Sequence, residues 1–168
     1  MVIVNKKDKI KAELFRFLSF NIVAVIATTN KKEPSNSLVY YFVDDDMNFY
    51  FETLNNTNKY KNININSSVS LLVVEEKELV VVKAKGEAVE LNGEEKKKMR
   101  KNLLNKRYDF KVKKWPPHEM HRYRKKEMEI KKVIFKITPY ELYFLNFGNK
   151  SYPVSYSSVI DPIISDKK

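Results

Sequence analysis

The sequence predicts a mainly β fold, an antiparallel β-barrel decorated with helices. Three observations predict it. About six apolar, β-branched segments have strand length. Short stretches of helical period sit between some of them. No regular alternation of strand and helix, of the kind that builds a parallel sheet, appears. With 168 residues, 43% hydrophobic and 12% aromatic, the chain is one domain's worth, read as a single domain over 1–168.

The elements follow in order. Ile10, Leu14, Phe17 and Leu18 fall at i, i+4, i+7 and i+8, so a helix is expected from about Lys6 to Ser19, with Asn5 as its cap. IVAVIATT, Ile22 to Thr29, is apolar throughout and reads as a strand buried on both faces. NKKEP is a polar turn. Ser35 to Val43 and Met47 to Thr53 form a hairpin around the acidic turn Asp44 to Asp46. The period then changes, and Leu54 to Asn66 reads as a short helix with Tyr60 and Ile63 on one side. Val69 to Glu76 and Leu79 to Leu91 are two more strands, and Gly86 inside the second marks a bulge or tight bend. Glu94 to Tyr108 is helical, with Met99, Leu103 and Leu104 as its apolar side. Val133 to Phe147 reads as a final strand pair broken at Pro139.

Composition excludes several chemistries. Without cysteine there is no disulfide framework, redox pair, zinc ribbon or iron–sulfur ligation. The longest apolar runs are far too short to cross a bilayer. At the N-terminus the charges follow the apolar patch, the wrong order for a signal peptide, so a cytoplasmic protein without membrane contact is expected. The HEMH run at His118 to His121 lacks the i, i+4 spacing of a zinc helix, and Asp44 to Asp46 suits a turn, so no metal is expected. The net charge of +11 is localised. Residues 92–132 hold 16 basic against 6 acidic residues, whereas residues 1–91 balance at 12 each. That basic helical insert reads as a solvated face with a thin apolar seam. Its aromatics, Tyr108, Phe110, Trp115 and Tyr123, match no nucleic-acid reader motif.

The stretch from Phe51 to Ile63 holds the chemistry. A strand ends at Thr53, a polar loop follows, and a helix begins near Asn58 with Lys59 in its first turn. Free backbone N–H groups and the positive helix end can hold a phosphate, with hydroxyls from Thr53 and Thr57, the Asn58 amide and the Lys59 charge beside them. A cation opposes the dipole there, and a bound anion would explain the misfit. The residues alone leave a second possibility, a capped surface helix with an incidental lysine.

In order, LFRFL, VIATTNKKEP, SLVYYFVDDD, FYFET, TNKYKNI, SVSLLV and KGEAVEL resemble the FMN-binding split β-barrel of the pyridoxamine 5′-phosphate oxidase-like proteins, and VIFKITPYELYFL is similar to that family's closing strand pair. The resemblance covers about two-thirds of the chain. The resemblance implies a six-stranded antiparallel split barrel and an FMN-binding flavoprotein with oxidoreductase activity. It also implies a homodimer holding flavin at the subunit seam. Ser37, Leu38, Val39 and Tyr40 would run beside the isoalloxazine ring. Glu52 and Thr53 would sit near the ribityl chain or phosphate, and Thr57, Asn58 and Lys59 would close on the phosphate. Asn146 and Trp115 are further candidates.

The sequence also departs from that pattern. The phosphate-binding Arg of the true oxidase falls at Ser37, its substrate-phosphate Lys at Phe42, and its flavin-contacting Gln near Val81. A charge-assisted hydrogen bond contributes about 1.5–3 kcal/mol, so looser FMN binding is expected, and a different reaction from pyridoxine-phosphate oxidation. Two alternatives stand beside this one. The insert could make the protein a basic module for nucleic acid or an acidic partner, or the same barrel could hold haem or a deazaflavin.

Overall fold

The computed structural model describes residues 6–77, 79–109, 130–146 and 154–157. Among them the chain runs α1 (Lys6–Phe20), β1 (Val23–Thr29), β2 (Pro34–Val43), β3 (Phe49–Leu54), α2 (Asn58–Ile65), β4 (Ser68–Glu75), β5 (Val80–Glu90), α3 (Gly93–Asp109), β6 (Lys132–Asn146) and β7 (Val154–Ser157). Six strands lie in the order β3-β2-β1-β4-β5-β6, and β3 pairs back onto β6, closing an antiparallel barrel. β7 adds to the far end of β6.

Alternation along the strands makes the core. Val39, Tyr41 and Val43 of β2, Phe49 and Phe51 of β3, and Leu71 and Val73 of β4 point inward and are buried. Leu14 and Leu18 of α1, both fully buried, join the same cluster, as does Ile63 of α2. Tyr60 packs against it. A second cluster lies under α3, where Met99 and Leu103 meet Leu91, Tyr50 and Ile134, with Phe42 against them.

Three expectations need correction. β1 is not buried on both faces. Ala24, Ile26 and Thr28 face the core, while Val23 is 43% exposed, because nothing among the described residues covers the outer side of β1. The segment after Lys131 is one continuous strand of 15 residues, not a pair. It survives Pro139 because that residue lies opposite Gly86, where the ladder slips register between Lys85 and Gly86 and needs no proline N–H. Leu104 is 39% exposed rather than part of the apolar seam. The position i+7 from Met99 belongs to Lys106, whose side chain fills that place.

The barrel is open at one ladder. β2 pairs with β1 over residues 34–40, but with β3 only over Tyr41 to Val43. Beyond Tyr41↔Phe51 the two strands part, so the second edge of residues 34–40 meets no strand among the described residues. That open edge offers backbone groups for a ligand to pair with.

Candidate functional site

α2 begins where β3 ends, and a short brace fixes the turn between them. The Thr57 N–H and hydroxyl both donate to the Leu54 carbonyl, at 3.2 and 2.9 Å. With its proton so used, Thr57 accepts the Thr53 hydroxyl at 3.0 Å and the Tyr60 N–H at 3.4 Å, which makes it the N-cap of α2. Asn55 locks the loop to the start of β6 by exchanging hydrogen bonds with the Lys131 backbone, at 3.0 Å each way. The two threonines therefore shape the loop and do not hold their protons free for a ligand.

What remains free is a cluster of donors. Among the described residues, the backbone N–H groups of Asn58 and Lys59 have no acceptor, as expected of a first helical turn. Asn58 is exposed and Lys59 half-buried. No carboxylate pairs with Lys59 among the described residues, and burial alone holds its amine below the ordinary lysine range. A cation desolvated without a counter-ion at the positive end of a helix is an anion site in its chemistry. The donor set therefore fits a phosphate.

The other expected residues lie on the split. Ser37 to Tyr40 occupy the open stretch of β2. Leu38 points outward and is 65% exposed, Val39 points into the core, and Ser37 is half-buried. No hydrogen bond joins Ser37 to the Thr53–Lys59 loop among the described residues. Tyr40 and Glu52 lie one step beyond the last β2–β3 pair, where the strands separate.

Three cations that the sequence did not single out meet these residues, and a fourth lies next to them. Arg100 Nε is 3.4 Å and Lys132 Nζ 3.1 Å from the Glu52 carboxylate, which leaves that corner net positive. The Arg107 guanidinium lies 4.8 Å from the centre of the Tyr40 ring. Lys106 is buried beside Tyr41. A run of basic residues does not mark Arg100, Arg107 or Lys132 as the ones that meet the barrel. The spacing of Lys106 from Met99 and Leu103 was the available signal. Phe42 packs under α3, and Val81 is half-buried on β5. Asn146 donates to Glu13 at 2.8 Å, so β6 ends against α1. Trp115, His118, His121, Tyr123, Arg122 and Arg124 lie outside the described residues. Among the described residues no group of acidic or histidine side chains could hold a metal ion, and no helix is long and apolar enough to cross a membrane.

Several solved structures share the fold. A Clostridium acetobutylicum protein related to general stress protein 26 of B. subtilis, of the pyridoxinephosphate oxidase family, matches with a TM-score of 0.59 at 10% identity, over 89% of this chain and 94% of its own. A FAD-binding protein from Mesorhizobium loti matches at 0.57 and 21% identity, over 78% and 88%. A heme binding protein from Mycobacterium smegmatis matches at 0.62 and 15% identity, over 93% and 60%. At such identities the likeness is one of fold. No curated protein sequence matches. The family model described as pyridoxamine 5′-phosphate oxidase matches residues 10–146, which span the barrel, the split and α2, and the chain belongs to that family.

Proposed function

We propose that this protein is an FMN-binding flavoprotein acting as an oxidoreductase, with its flavin phosphate at the first turn of α2. The observation that carries the proposal is Lys59, half-buried at a helix N-terminus with no carboxylate to balance it among the described residues. Asn58, Lys59 and their backbone N–H groups would hold the phosphate. Glu52 would accept from the ribityl hydroxyls, and the open edge at Ser37 to Tyr40 would pair with the ring. The flavin supplies the electron chemistry, and the protein supplies binding and orientation. The FAD-binding neighbour supports a flavin in this fold.

The proposed assembly is a homodimer. Its support comes from the outer sheet face beside the split. Val25 lies opposite Leu38 on one side and Leu72 on the other, and Val23, Val74 and Phe20 extend the same apolar face. A surface of that kind beside the flavin edge favours a second copy as its cover.

Titration of the stripped protein with FMN and riboflavin tests the proposal. FMN should bind the more tightly, and Lys59→Ala should weaken FMN about tenfold while leaving riboflavin nearly unchanged. The phosphate prefers the protonated amine, so FMN affinity should fall as pH rises through the lowered Lys59 pKa, and riboflavin affinity should not. Equal affinity for the two ligands would defeat the proposal. FMN-loaded protein should not turn over pyridoxamine 5′-phosphate under air, because Phe42 offers no charge to its phosphate.

A second ligand deserves the same experiment. The heme binding neighbour makes haem the alternative, and a Soret band in place of flavin absorption in the purified protein would favour it.

A further inference from the structure

Lys106 is the one buried charged side chain among the described residues, 9% exposed. It continues the stripe Met99, Leu103, Lys106 by which α3 faces the barrel. Its amine donates to the Leu18 carbonyl in the last turn of α1, at 2.9 Å, and lies 4.3 Å from the centre of the Tyr41 ring. The Tyr41 hydroxyl donates to the same carbonyl, also at 2.9 Å. One oxygen therefore ties α1, β2 and α3 together. No carboxylate pairs with Lys106 among the described residues, and burial lowers its pKa to about 7. An uncharged amine still donates N–H, so the tie holds on both sides of that pKa.

Arg100 and Arg107 each follow a residue of that stripe by one position, and they are seven apart, so they share the neighbouring side of α3. Arg100 grips Glu52, and Arg107 covers Tyr40. A helix moves as a rod, so a shift that frees its last two turns carries Arg107 away from Tyr40 and draws Arg100 along the split.

We propose that Lys106 is a positioning residue for the flavin site: by tying α3 to α1 it sets where Arg100 and Arg107 stand, and through them Glu52 and Tyr40. The proposal rests on the flavin reading above. It assigns a role in ligand binding to a side chain that touches no ligand.

Lys106→Met tests it, since Met replaces the buried amine by an apolar chain of similar reach. The variant should bind FMN about fivefold more weakly, the scale of one lost hydrogen bond. It should weaken riboflavin equally, because Tyr40 and Glu52 serve the ring and ribityl chain. This separates it from Lys59→Ala, which affects FMN alone. The visible circular dichroism of the bound flavin should change as well. In an Arg100→Gln, Arg107→Gln background, Lys106→Met should have no further effect. In the unmodified protein, FMN should slow amide hydrogen exchange in α3 from Asn102 to Arg107 as well as in α2, by the reciprocity of coupled sites. That measurement decides the matter even where the variant fails to fold. Unmodified protein that binds neither FMN nor riboflavin defeats the flavin reading, and this proposal with it. If the unmodified protein binds FMN while Lys106→Met keeps its affinity and dichroism, or if α3 exchange ignores the flavin, only the positioning role is overturned.

Discussion

Met47 and Leu79 hold the same unusual backbone in opposite surroundings. Both sit in the left-handed region, at φ of 64° and 52°, which costs a residue with a branched or long side chain about 1–2 kcal/mol. Met47 closes the turn after Asp44, where its N–H reaches the Asp44 carbonyl at 3.0 Å, and its side chain is 1% exposed. Leu79 closes the β4–β5 turn with its side chain 59% exposed. Asparagine accepts this backbone more readily than either residue. The substitution should therefore act with opposite sign at the two positions. Met47→Asn forfeits a buried side chain and should destabilise by about 2–3 kcal/mol. Leu79→Asn relieves strain and loses no packing, and should stabilise by about 0.5–1 kcal/mol. Urea denaturation of the two variants checks both signs, and a loss at Leu79 would show that the turn needs its apolar side chain.

At the scale of elements, β6 is the member on which the barrel depends. It pairs with β5 along its length and, on its other edge, with β3 near the start and β7 near the end. So long a strand must bend to close a small barrel, and Gly86 with Pro139 is where it does. A Cβ on Gly86 would stand 2.4 Å from the Thr138 carbonyl oxygen and 2.8 Å from the Pro139 Cα, both backbone atoms that cannot swing aside. Gly86→Ala should therefore destabilise by about 3 kcal/mol or more, read as a fall in Tm of many degrees. A change within a degree or two would mean that the β5–β6 crossing can open at this point. The glycine was legible in the sequence as an interruption of a strand. The partner that makes it necessary, a carbonyl some fifty residues away, was not, because pairing register is a property of two strands.

Of the aromatic residues of β6, Phe144 is 1% exposed and belongs to the core, whereas Tyr140 is 52% exposed. Leu38, Val23, Leu72 and Val74 gather exposed apolar surface on the outer face of β2, β1 and β4. Leu38→Glu and Leu72→Glu together should leave the barrel folded, since both side chains point outward, and should convert the proposed dimer to monomer. Sedimentation velocity at micromolar concentration reads this directly. Unmodified protein that sediments as a stable monomer with flavin bound would refute the dimer. One that dimerises through both variants would place the interface elsewhere.

Strand periodicity, the change of period at Leu54, the cap residues around Thr57 and the lysine behind them are local patterns, so the barrel class and the phosphate-site candidate were determined by the sequence by itself. The tertiary structure decided which cations of the basic run meet groups of the barrel. Arg100, Arg107 and Lys132 differ from their neighbours only in the groups that distant strands bring beside them, whereas Lys106 also keeps the helical spacing of Met99 and Leu103. It also decided that Thr53 spends its hydroxyl proton on Thr57 and Thr57 its own on the Leu54 carbonyl, because hydrogen-bond partners are assigned by geometry. The outer face of β1 shows the same division. Its residues are as apolar as a fully buried strand, and only the absence of a covering element among the described residues distinguishes a surface from a core.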